Sequence, residues 1–163
     1  MPGGPEQKVV PVLTRFKADD LGSLAELLND PTISEFTTVP HPYTRKNARE
    51  WLRLVNQTTR KHGEARQFAI SYEDRLAGGF DFRHLKTGHK GELGYWLGAP
   101  FRGRGIMTEV VEAGCHYARE RWELERLEAL VYPHNEASIR VLEKSGFSRE
   151  GLLRKYFRRD EAL

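Results

Sequence analysis

One cysteine, Cys115, in 163 residues leaves no internal disulfide to be made and fits the reducing cytoplasm. The sequence has no apolar run near the ~20 residues that cross a bilayer, so a membrane protein is not expected. Its opening, MPGGPEQK, lacks both the basic and the apolar segment of a secretory signal. Six histidines (His41, His62, His84, His89, His116 and His134) stand at no ligand-pair spacing with cysteine or acid, so no metal site is expected. Charge of one sign is scarce too. The net charge is +3 and the pI near 9.1, yet bases interleave with acids, as in RKNARE and ARERWELER. Without a concentrated basic stripe, nucleic acid is not expected as a partner. Internal repeats, low-complexity tracts and linkers are also missing, which leaves one domain over residues 1–163.

With 39% apolar and 30% charged residues, the chain has the balance of a globular protein with a proper core. KVVPVLTRF (8–16) reads as a short strand, and Pro11 puts it at a sheet edge. Leu21, Leu24, Leu27 and Leu28 recur at helical spacing behind Asp19 and Asp20, which suit an N-terminal cap. After the proline-punctuated loop TTVPHPY (37–43), a helix is expected from Thr44 to about His62, with Ala48, Trp51, Leu52 and Val55 inward. Strands follow at 66–73, 75–85 and 91–98, joined by short turns at Glu73–Asp74 and Lys86–Gly88. A helix over 106–121 should face inward with Ile106, Val110, Ala113 and Tyr117. LEALVYP (127–133) reads as a strand, and the next helix is capped by Asn135 and stopped by Gly146. SREGLLRKYF (148–157) reads as a weak last strand. The order predicts a mixed α/β sheet, antiparallel first and βαβ-like afterwards.

The stretch GYWLGAPFRGRGIMTE (94–109) concentrates four glycines and two arginines between a strand and a helix. Helix N-termini carry unpaired N–H groups and about half a positive charge, so such a turn suits a phosphate. Gly103 and Gly105 let amides approach, and Arg102 and Arg104 add charge; the same residues also suit a plain solvated turn. It is not a P-loop, since no Gly-Lys-Ser/Thr closes it. Nor is it a dinucleotide fingerprint, because Thr108 stands where a third glycine belongs and Tyr132-Pro133 where an acid belongs.

The stretch resembles the coenzyme-A loop of the GNAT N-acetyltransferases, Gln/Arg-x-x-Gly-x-Gly/Ala, with Arg102, Gly105 and Met107 at the defined positions; Met107 departs from the usual Gly/Ala. Gly-Ile-Met-Thr-Glu behind Gly-Tyr-Trp is similar to the branch that acetylates ribosomal-protein N-termini. Asn135-Glu-Ala-Ser138 followed by Glu143-Lys144-Ser-Gly146-Phe147 resembles the second coenzyme motif, and PHPYTRKNAREWL the substrate-side helix. The resemblance covers about residues 8–158.

It implies the acyl-CoA N-acyltransferase fold, with helices flanking a mostly antiparallel sheet, and acetyl-CoA as cofactor. Amides from Arg104 through Ile106 and Met107 to Thr108 would take the pyrophosphate. The backbone of Trp96 and Leu97 would pair with pantetheine, and the Leu97 N–H would polarise the thioester carbonyl. Asn135 suits both a helix cap and a pantetheine contact. The family's usual thiolate-protonating tyrosine is replaced here by Leu142, so Ser138 becomes the candidate acid; a plain helix-start serine is the other reading. Glu92, on the face of Gly94 and Trp96 by strand alternation, is a candidate base or an exposed strand-end glutamate. His41, Tyr43 and Trp51 would flank the acceptor, though single aromatics there also suit the core. Cys115 reads as a small buried hydrophobe. The acceptor is expected to be a protein N-terminus; a small amine (polyamine, aminoglycoside or amino acid) and a non-catalytic coenzyme-A-binding module are the alternatives. The chain stops at RRDEAL, short of the family's final strand, so that strand is missing or a second copy supplies the edge, and a homodimer is expected.

Overall fold

The computed structural model describes residues 7–158. Five strands, β1 (Val12–Thr14), β2 (Gln67–Tyr72), β3 (Arg75–Lys86), β4 (Lys90–Leu97) and β5 (Arg126–Glu128), lie side by side in chain order. The first three pairings are antiparallel and β4–β5 is parallel, joined by the crossover helix α4 (Ile106–Trp122). Both hairpins turn where expected, with Glu73, Asp74 and Gly88 at positive φ. Helices α1 (Leu21–Leu28), α2 (Pro31–Phe36) and α3 (Arg45–His62) cover one face, and α4 with α5 (Glu136–Lys144) the other.

Strand alternation sorts the core into two clusters. Phe80 and Phe82 of β3, with Leu93 of β4, face Val110, Val111 and Trp122 of α4. Ala69, on the opposite face of β2, meets Leu24, Leu28, Ile33, Ala48 and Leu52 of α1–α3. Each such Val, Leu, Ile or Phe side chain contributes about 1.5–3 kcal/mol on burial. Helix α3 forms because Ala48, Leu52 and Val55 fall on one stripe. Thr44 and Asn47 close a capping box at its start, and Gly63 at φ 69° ends it.

Several expectations are corrected. The buried stripe of α4 is Ile106, Met107, Val110, Val111, Gly114, Ala118 and Trp122, so Ala113 and Tyr117 lie outside it. Asp20 does not cap α1 with its side chain; its carboxylate accepts from the Lys17 N–H, closing a 3₁₀ turn over 18–20. Helix α2 was not foreseen, although Asp30 as N-cap and Pro31 in the first turn spell a helix start. Strand β5 pairs over only three residues, because the chain swings away from β4 after Glu128. No strand forms over 148–158, where Leu152, Leu153, Tyr156 and Phe157 are exposed. The end of RRDEAL lies outside the described residues.

Candidate active site

The parallel ladder binds Lys90–Glu92 to Arg126–Glu128 and stops, while β4 continues to Leu97. From Leu93 onward, β4 is therefore paired only with β3. The Gly98 N–H donates to the Ala77 carbonyl at 2.8 Å, towards β3. Because backbone groups alternate sides along a strand, the N–H groups of Leu97 and Tyr95 face the open edge and that of Trp96 faces β3. Leu97 is thus brought to the opening. Trp96 contributes its ring on the other face, packed over Gly79. A cleft of about 2230 Å³ runs along this edge, lined by Trp96 and Gly94 from one face and Tyr95 and Leu97 from the other. Its lining thus includes residues from both faces of the sheet.

Beyond β4 the turn reaches α4 with Gly103 at φ 75° and Gly105 at φ 73°. Those values are left-handed, so the turn depends on glycine at both positions. Gly105 is the N-cap of α4 and supplies no side-chain cap, which leaves the first-turn amides of Ile106, Met107 and Thr108 without a side-chain partner at the cleft. The side chains of Ile106 and Met107 are buried in the core, so a bulky residue at 107 leaves its N–H in place. Arg104 is exposed. Arg102 turns back: Nε donates to the Leu97 carbonyl at 3.1 Å and Nη2 to Asp30 at 3.0 Å. Asp30 also accepts from the Thr32 hydroxyl and N–H, and these hydrogen bonds, with Arg102 beside them, hold its carboxyl below the usual range.

Across the opening stands the start of α5. The Asn135 carboxamide oxygen accepts from the Ser138 N–H at 3.3 Å, capping the helix, while its NH₂ group has no hydrogen-bond partner among the described residues. Ser138 Oγ lies 2.6 Å from the Tyr95 hydroxyl, and either can donate; the Tyr95 hydroxyl also reaches the Ser138 carbonyl at 3.3 Å. Burial pushes the Tyr95 phenol up, and the bond to Ser138 partly offsets this. Leu142, one turn on, is buried in the core and offers no proton. Tyr95 was not singled out in the sequence; its signal was the missing tyrosine at 142 combined with a tyrosine on the opposite wall.

On the α1–α3 side, Glu92, Gly94 and Trp96 share a face of β4, as alternation predicts. Across β3, Asp81 pairs with Gly94 and Arg83 with Glu92 in register. Asp81 and Arg83 were also missed, although the hairpin register carries them to this face. Trp51 of α3 lines the cleft and packs edge-on against Phe16 at 4.7 Å. Tyr43 lines it as well, with most of its ring in the core. His41 is exposed, on a cis peptide to Pro42, and is not brought to the cleft. Cys115 is half-buried in α4, and burial pushes its thiol up. Among the described residues no group of three or more His, Cys, Asp or Glu side chains is placed to hold a metal ion, and no helix is long and apolar enough to cross a membrane.

A split sheet edge running into a glycine turn and an uncapped helix defines an acyl-CoA-type acyltransferase. The chain belongs to the acetyltransferase (GNAT) domain family, whose pattern matches residues 12–148, and it is an N-acetyltransferase acting on amines. It is 31% identical over 149 residues to the uncharacterized N-acetyltransferase p20 of Bacillus licheniformis, covering 88% of this chain and 82% of that one. It is 32% identical over 101 residues to the ribosomal-protein-serine acetyltransferase of Escherichia coli, covering 61% of this chain and 56% of the relative. Among solved structures, RimJ of Mycobacterium smegmatis in complex with CoA-disulfide shares the fold. Its TM-score is 0.78 at 22% identity, over 94% of this chain and 81% of that one.

Proposed function

We propose that this chain moves the acetyl group of acetyl-CoA directly to a primary amine, foremost the N-terminal α-amine of a protein, ribosomal proteins included. The observation that carries the reading is the unpaired edge of β4, which ends in the Gly103–Gly105 turn. The edge fits an extended pantetheine arm, and the uncapped amides of α4 fit a pyrophosphate. Acetyl-CoA supplies an activated thioester. The ribosomal-protein-serine acetyltransferase relative supports a ribosomal protein as acceptor.

The residues divide the work. Amides of Gly105, Ile106, Met107 and Thr108, with Gly103 and Arg104 in the turn, hold the phosphates. Arg102 fixes the Leu97 carbonyl, so the Leu97 N–H is set to stabilise negative charge developing on the thioester oxygen. The Asn135 NH₂ group contacts the pantetheine arm, and the Trp96 ring borders the acetyl end from the acceptor face. Glu92 takes a proton from the ammonium, a modest task because an α-amine titrates near ~8. The freed lone pair bonds the acetyl carbon as the carbon–sulfur bond breaks, and the nitrogen's second proton passes to water. Ser138 gives its proton to the departing sulfur and regains one from the Tyr95 hydroxyl or water. Tyr43 and Trp51 border the acceptor. The reaction belongs in the cytoplasm, where acetyl-CoA and new protein N-termini meet. The outer edge of β5 has no partner strand among the described residues, which supports a second copy as its cover.

The test is mass spectrometry of acetyl transfer from acetyl-CoA to a panel of peptides with free Ala, Ser or Met N-termini, spermidine, an aminoglycoside and free amino acids. Acetylation of a peptide α-amine is expected. Labelling of spermidine or the aminoglycoside alone overturns the protein acceptor, and binding of acetyl-CoA with no transfer to any acceptor overturns the enzyme.

A further inference from the structure

The acceptor face of the cleft carries a side-chain pair that the transfer chemistry leaves unused. Arg83 Nε donates to Asp81 Oδ2 at 2.5 Å and Arg83 Nη2 to Asp81 Oδ1 at 3.1 Å, a two-pronged pair. The pair lies across the backbone of Gly94: a Cβ there would stand 2.6 Å from Arg83 Nη2 and 2.8 Å from Asp81 Oδ1. Glycine at 94 is therefore what lets the guanidinium lie down on the floor of the cleft. Glu92 sits directly opposite Arg83 in register, yet it makes no hydrogen bond or ion pair among the described residues. Asp81 thus fixes the arginine by hydrogen bonds, and Glu92 stands near enough to interact with it through charge alone. A guanidinium has five N–H donors, and with two committed to Asp81 the others remain for a ligand; the side chain is 52% exposed and lines the cleft.

We propose that Arg83 recognises the acceptor by the oxygen that stands beside its reacting amine. This oxygen is the first carbonyl of a peptide or the carboxylate of a free amino acid, and the inference rests on Glu92 receiving the ammonium. Cross-strand neighbours stand about 5 Å apart at Cβ. One α-amino acid unit can therefore present its nitrogen to Glu92 and its oxygen to Arg83 together. A polyamine has no such oxygen, and its second ammonium would meet a guanidinium. Arg83 is by this account the determinant that separates α-amino acceptors from polycations.

The experiment compares wild type with Arg83→Gln and Arg83→Lys, each first shown to bind coenzyme A as wild type does. Turnover is read on an alanyl peptide, free alanine, spermidine and isopropylamine, which keeps the amine and drops the carbonyl. Binding of the alanyl peptide to the coenzyme-A-loaded protein is titrated in parallel, so the result does not depend on turnover. Arg83→Gln is expected to weaken peptide binding and raise KM about 10- to 100-fold, with kcat and isopropylamine turnover little changed. Arg83→Lys, which lacks the fork, should recover only part of the loss. Equal losses on peptide and isopropylamine, or unchanged peptide binding, overturn the role of Arg83 while the protein acceptor stands. A wild type that takes spermidine and isopropylamine but neither binds nor modifies the peptide overturns both. Peptide against free alanine decides which oxygen is read.

Discussion

The two faces of β4 are made of different material. At the open edge and towards α4 the groups proposed to meet the donor are mostly backbone: the Leu97 N–H, two left-handed glycines and the first-turn amides of α4. On the α1–α3 side they are side chains drawn from three separate elements: Asp81 and Arg83 from β3, Glu92 from β4 and Trp51 from α3. A backbone site tolerates changes of residue type provided the conformation survives, as Met107 illustrates by burying its side chain while keeping its amide at the turn. A side-chain site changes ligand with each substitution. One fold can thus keep its donor and vary its acceptor.

Four experiments press on that contrast. Ser138→Ala, which removes the group proposed to protonate the departing sulfur, should lower kcat about 10²- to 10³-fold in steady-state assays while coenzyme-A binding by calorimetry stays unchanged. Glu92→Gln should cost about 10²-fold in kcat/KM at pH 7. The deficit should shrink as pH rises past the amine's own pKa of ~8, because the acceptor then arrives deprotonated; a deficit constant from pH 7 to 10 would count against the base. Gly105→Val asks whether the donor side really depends on backbone conformation. It places about 1–2 kcal/mol of left-handed strain on the turn, so coenzyme-A affinity should fall about tenfold with peptide recognition unaffected. Asp30→Ala removes the cap of α2 and the brace on Arg102, and should destabilise the fold by about 1 kcal/mol in denaturant titrations. The Asp30 pKa is depressed in the folded state, so its contribution is present above the unfolded pKa of ~3.9. It fades as pH falls through the lower folded value, and the gap between wild type and variant should close there.

The same contrast decides what could be read from the sequence. Helix α3, both hairpins and the glycine turn were legible because each is written locally: an apolar stripe behind a Thr44 cap, alternation between tight turns, and glycines spaced for positive φ. The asymmetry of β5 was not legible. LEALVYP is apolar enough for a full strand, yet only Arg126–Glu128 pair with β4, and where a strand parts from its neighbour is set by tertiary placement rather than by its own residues. SREGLLRKYF likewise has strand-like residues but no partner to pair with among the described residues. At the site, Ser138 and Glu92 were reachable from motif and alternation. Arg83, Asp81 and Tyr95 needed the register between strands or the distance across the cleft, which no short window contains. The Arg102–Asp30 pair spans 72 positions and could not be read from either end.

The unfinished edge of β4 has a consequence in amide exchange. The N–H groups of Gly94 and Trp96 point into the β3 ladder and are held by it. Those of Tyr95 and Leu97 point the other way, so along one strand slow and fast exchangers should alternate. A ligand lying against this edge plays the part of a missing strand, and its arrival should slow only the second set. Protection would then appear at every other residue, and the pattern itself would mark where the ligand's chain begins and ends.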